Sequence, residues 1–117
     1  MLPNLQSLEP GKPKMSKVVC LFVFDDEGYA TIKIGNTEFG GKEFIKGDRR
    51  CNMIYYVDYE NKPIYVDIVI NFLDSNTHIK MLVIVELTDQ NTIRLATNYN
   101  TERPTSFKDA TYFKIMP

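Results

Sequence analysis

In the stretch YYVDYENKPIYVDI, residues 55–68, a phenol and a carboxylate appear twice: Tyr56-Val57-Asp58 returns as Tyr65-Val66-Asp67. Carboxylates can do acid–base work without a histidine, and Asp58 with Asp67 is the best pair the chain offers. Nucleophilic catalysis has less to draw on. His78 is the sole histidine, it falls in the turn Ser75-Asn76-Thr77-His78, and no serine or cysteine carries a recognisable elbow or paired base. Asp25-Asp26-Glu27 and Asp74-x-Asn76 supply hard oxygen donors, but neither continues with the spacing of a twelve-residue calcium loop. Gly40-Gly41 has no following helix on which to seat a phosphate. Cys20 and Cys51 share no CxxC spacing and lie in apolar runs, which reads as two buried thiols, with a disulfide as the other possibility. No metal or cofactor is expected.

The elements that position these residues are strands. Apolar residues alternate with others, rich in β-branched and aromatic types, at about 17–24, 29–34, 37–39, 43–46, 50–59, 63–72, 78–87, 92–98 and 111–116. Between them lie short clusters suited to tight turns, such as Asp25 to Gly28, Gly35-Asn36, Glu60 to Pro63 and Asp89-Gln90-Asn91. Gaps this short favour antiparallel pairing of consecutive strands. The fold expected is therefore all-β, an eight-stranded antiparallel up-and-down barrel whose closure removes exposed edges, with a two-sheet β-sandwich as the alternative. Residues 1–16 read as an N-terminal extension or cap, and residues 17–117 as a single barrel domain.

The repeat fixes a register. With Glu60 to Pro63 as the loop, Val57 faces Val66, Tyr55 faces Ile68, Met53 faces Ile70 and Cys51 faces Phe72, all on one side. The other side pairs Asp58 with Tyr65 and Tyr56 with Asp67. This puts both carboxylates on the solvated face, where acid–base chemistry has no support. A slip of one residue would turn the whole apolar set outward.

Composition narrows the function classes. A chain of 117 residues with 44% hydrophobic content is one folded domain. Its formal net charge is −1, and only Lys46 to Arg50 is locally basic, interrupted by Asp48, so a nucleic-acid partner lacks its electrostatic term. No apolar run is long enough for a membrane-spanning helix, and MLPNLQSLEPGKP has no signal-peptide pattern. The compartment is left open, cytoplasmic or exported.

The ordered motifs Tyr55-x-Val57-Asp58, Pro63-x-x-Val66-Asp67-Ile68, Val85-x-Leu87 with Asp89, Thr92-Ile93-Arg94-Leu95 and Arg103-Pro104-x-x-Phe107 resemble a group of small bacterial lipocalin-like domains over about residues 50–107. The resemblance implies an eight-stranded barrel and a small apolar or amphipathic ligand. Such domains open with a Gly-x-Trp element whose indole receives a late arginine. The corresponding stretch here is Gly11-Lys12-Pro13-Lys14-Met15, which leaves Arg103 without that ring and free to cap backbone carbonyls or pair with an acid such as Glu102 or Asp109.

Two functional readings follow. The first is a non-enzymatic barrel holding a small apolar ligand, with Phe22, Met53, Tyr55, Val66, Ile68, Ile70 and Leu95 as interior candidates and Arg103 as a structural cap. The full inward set adds Val18, Cys20, Phe24, Ile32, Ile34, Val57 and Ile93. The alternative is a protein-interaction module with a filled barrel, using outer-face contacts such as Tyr56, Tyr65, Tyr99 and Tyr112. An enzyme ranks third.

Overall fold

A computed structural model describes residues 3–7, 20–98, 102–108 and 110–116. Among these the chain forms β1 (Leu5–Ser7), β2 (Cys20–Phe24), β3 (Ala30–Ile34), β4 (Thr37–Gly40), β5 (Phe44–Lys46), β6 (Arg49–Asp58), β7 (Ile64–Phe72), β8 (His78–Leu87), β9 (Thr92–Thr97) and β10 (Thr111–Ile115), with no helix. No helix is thus long and apolar enough to cross a membrane. All ten strands join one antiparallel sheet in the order β4-β3-β2-β1-β10-β9-β8-β7-β6-β5, nearly closed into a barrel. The single sheet replaces the sandwich alternative, and the strand count is ten where eight were expected.

The additional wall comes partly from the segment read as a cap. Leu5–Ser7 pairs with β2 on one side and β10 on the other, and Leu5 is 1% exposed. Three residues without alternation carry little signal, so tertiary pairing decides their conformation. Lys17 to Val19, Val18 of the inward set and the Gly11–Met15 stretch lie outside the described residues.

Around the barrel the strands follow chain order, and every consecutive pair is hydrogen-bonded except β4 with β5. That seam is bridged by other backbone groups. Met53 N–H donates to the Gly41 carbonyl at 2.9 Å, Tyr55 N–H donates to the Gly28 carbonyl at 3.0 Å, and Tyr29 forms an isolated bridge with Ile54. The Phe39 and Phe44 rings meet across the same seam at 6.3 Å. Gly40 makes the crossing possible. Its φ is +115°, and a Cβ there would stand 2.5 Å from the Ala30 carbonyl oxygen and 2.7 Å from Met53 Cε.

The β6–β7 ladder has the register that the repeated phrase requires, from Cys51 opposite Phe72 to Asp58 opposite Tyr65. Its inward face joins Leu5, Phe22, Phe24, Ala30, Ile32, Val83, Val85, Ile93, Leu95 and Phe113 in one buried core. The turns define two ends. The top carries the β2–β3 turn, the β6–β7 loop and the β8–β9 turn, while the bottom carries the β3–β4, β5–β6 and β7–β8 turns.

A second packing layer lies outside the wall. Ile84 and Ala96 face away from the core by register, opposite Val83, Val85 and Leu95, yet are 1% and 4% exposed. The stretch 102–108 between β9 and β10 crosses this outer face. Its Pro104 is buried, Arg103 reaches Tyr65 and Asp67 on β7, and the Phe107 ring lies under Arg94 of β9 at 4.1 Å.

Candidate functional site

The interior candidates come together in one place, packed against each other. Phe22, Met53, Tyr55, Val66, Ile68 and Leu95 are all at most 9% exposed and belong to the core cluster, and half-buried Ile70 packs against it. The Phe22 ring stacks on Phe24 at 6.0 Å and meets Phe113 at 5.2 Å, and Phe24 meets Tyr55 edge-on at 4.9 Å. The Tyr55 hydroxyl is committed as well, donating to the Asp25 carbonyl at 2.7 Å. Burial pushes this hydroxyl above the ordinary tyrosine value, and the neighbouring Asp25, Tyr59 and Asp26 add to the rise. It acts as a strut across the top of the barrel.

Toward the bottom the inward face is less covered. Ile34 shares the face of buried Ile32 and is 43% exposed, and Ile79, opposite Ile70, is 46% exposed. Cys20 and Cys51 both stand as thiols, Cys51 fully buried and Cys20 half-buried, with burial raising the Cys20 pKa away from reactivity.

Arg103 does have a ring, from an unexpected strand. Its guanidinium lies over Tyr65 at 4.2 Å, donates to the Val83 carbonyl at 2.9 Å and the Val66 carbonyl at 3.4 Å, and forms an ion pair with Asp67. The planar fork thus satisfies two carbonyls and a carboxylate together. Its acid partner is Asp67 rather than the Glu102 or Asp109 expected from the sequence, and Asp109 lies outside the described residues.

This arginine forms one wall of a hollow of about 130 Å³ with Tyr56, Val57, Asp58, Tyr65 and Asp67. Tyr56 and Val57 also line a wider cleft of about 430 Å³ at the top, with Asp26, Gly28, Tyr55 and Tyr59. The two hollows flank one hairpin. Tyr56 is 61% and Tyr59 46% exposed, so their ring faces are available. The loops framing the cleft carry Asp25, Asp26, Glu27, Asp58 and Glu60 against Lys62.

Of the outer-face tyrosines, Tyr56 stands in the cleft, Tyr65 is half-covered by Arg103, Tyr112 is exposed on β10 opposite Arg94, and Tyr99 lies outside the described residues. Asp26, Gly28 and Tyr59 were legible only as turn residues. They meet because the Tyr29–Ile54 bridge draws together turns far apart in the chain, and alternation carries no record of that contact. For proton chemistry the arrangement offers little. Asp58 accepts from Glu60 N–H and Asn61 Nδ2, Asp67 is paired with Arg103, and His78 is an exposed strand residue opposite Asn71. Among the described residues no group of three or more His, Cys, Asp or Glu could hold a metal ion. No family model, curated protein or solved structure matches the chain.

Proposed function

We propose that this domain is a non-enzymatic interaction module of lipocalin-like type that takes a protruding side chain of a protein partner into the top cleft. The observation that carries this reading is the contrast between interior candidates buried against one another and an open cleft lined by Tyr56 and Tyr59. Tyrosines in such positions contribute large apolar area at small entropic cost, which is why they dominate binding hot spots. The β6–β7 hairpin that presents them is anchored by a long ladder and by Arg103, so the cleft is preformed.

Selection from a random twelve-residue peptide library against the folded domain tests this. Selected peptides should shift the backbone amide resonances of Gly28, Tyr56, Val57 and Tyr59 and lose affinity for the Tyr56→Ala variant. Peptides that shift only other surfaces would sink the reading.

A second reading, a small apolar or amphipathic ligand, draws support from the bottom of the barrel, where inward-facing Ile34 and Ile79 stay nearly half exposed. Uptake of a hydrophobic fluorescent probe that survives Tyr56→Ala and is lost in Ile79→Asp would move the function there.

A further inference from the structure

The top cleft also constrains what a partner must present, and the inference that follows rests on the interaction reading above. We propose that the cleft accepts a cationic side chain, an arginine or lysine of the partner, with its methylene stem along Tyr56, Val57 and Tyr59 and its charged head at Asp26.

Of the carboxylates on the loops that frame the cleft, Asp26 is the one that lines it. Asp25 Oδ1 accepts from the amides of Glu27 at 3.0 Å and Tyr29 at 2.8 Å, so it holds the β2–β3 turn. Asp58 accepts from Glu60 N–H at 2.9 Å and Asn61 Nδ2 at 2.7 Å, holding the β6–β7 loop. Asp67 is taken by Arg103. Asp26 lines the cleft and is exposed, and its carboxylate has no hydrogen bond or ion pair among the described residues.

The Tyr55 hydroxyl and the Arg103 fork of the adjoining hollow are already committed. The Tyr55 hydroxyl proton points to the Asp25 carbonyl, and the Arg103 fork is filled by two carbonyls and Asp67. What faces the cleft is aromatic ring and negative charge, the combination that attracts a cation to a ring face while a carboxylate orders its head. Long cationic side chains also lay their stems on apolar surface, a match for the Tyr56, Val57 and Tyr59 surface that lines the cleft.

Peptides selected on the domain provide the test. Each is resynthesised with its arginines and lysines replaced by glutamine, and binding is measured to the native domain and to Asp26→Asn. Replacement should weaken binding about tenfold, combining a ring contact with an exposed ion pair, and Asp26→Asn about threefold. High salt should weaken the native peptides and leave the glutamine versions nearly unchanged. Asp26 is exposed, so the variant should melt with the native protein, which separates lost binding from lost folding. If cleft-binding peptides lack basic residues or tolerate glutamine within twofold, the cation proposal falls and the interaction reading stands. If no selected peptide maps to the cleft, both fall.

Discussion

Arg103 couples three parts of the molecule through one guanidinium: the β7–β8 backbone, the Asp67 carboxylate and the stretch 102–108. Removing it in Arg103→Ala takes a second donor from two ladder carbonyls and leaves half-buried Asp67 without its cation, an expected loss of about 2 kcal/mol in denaturant unfolding. Arg103→Lys should recover less than half of this, because an ammonium cannot reproduce the planar fork. The sequence offered this arginine as a cap candidate only through the resemblance of its Arg-Pro-x-x-Phe segment. Its ring could not be read there, since Tyr65 lies 38 positions away and meets it only once the chain folds over the outer wall. Gly40 gives a second comparison at this scale. Gly40→Ala must fit a methyl group within 2.7 Å of Met53 Cε at a φ of +115°, whereas Gly47, at φ +52°, has nothing within 4 Å of its absent Cβ. Strain with overpacking predicts a loss of about 3 kcal/mol or more at Gly40 and about 1 kcal/mol at Gly47, measurable as separate shifts in thermal melts.

Among the elements, the β6–β7 hairpin was the most legible, because strict alternation on both strands leaves one register that buries every apolar residue. Val66→Asp, at a position 2% exposed, should unfold the domain; Val57→Asp, half-buried near the loop, should cost less; Asp58→Asn should cost under about 1 kcal/mol because the amide oxygen still accepts one bond. Equal losses in the three variants would refute the assigned inner face. Met53→Trp is expected to destabilise, since Met53 is 1% exposed and its methyl already touches the Gly40 crossing. Short elements were the least legible: β1 offers only Leu5, Gln6 and Ser7, and its strand state depends on neighbours from both chain ends. Two ion pairs steady the bottom of β6, Arg50 with Glu43 and Arg49 with Asp74, and their hydrogen bonds hold both carboxyls below the ordinary values of 4.5 and 3.8. Depressed carboxyl pKa values stabilise the fold above the unfolded-state values and lose that contribution as pH falls through the folded ones. Melting temperature should therefore hold steady down to about pH 4.5 and fall below it, and the double variant Glu43→Gln, Asp74→Asn should flatten part of that fall.

At the scale of the whole molecule, an even overall charge conceals a division between the ends. The turns framing the top cleft are acidic, while toward the bottom Lys33, Lys46, Arg49, Arg50 and Lys80 stand among Glu38, Glu43, Asp48 and Asp74, and Lys33, Arg49 and Arg50 are ion-paired there. Antiparallel neighbours in chain order were readable from the short turns. The seam was not, because its bonds run from Gly28 and Gly41 carbonyls to β6 and obey no local pattern. That seam has a further consequence. Met116 N–H donates to the Asn4 carbonyl at 2.8 Å, so the two ends of the described chain are neighbours, and the interruption in the wall lies elsewhere, between β4 and β5. The wall is a circular meander in which the break in the polymer and the break in the hydrogen bonding fall at different places. A circular permutant opened between Lys42 and Glu43, with the present ends joined by a short glycine–serine linker, would bring the two breaks together. The pairing of Leu5 with Ile115, now among the most distant in sequence, would become a local hairpin. Folding rate rises as contacts become local, so this permutant should refold faster than the native chain while unfolding at a similar denaturant concentration; slower refolding would show that the β1–β10 ladder does not limit the rate.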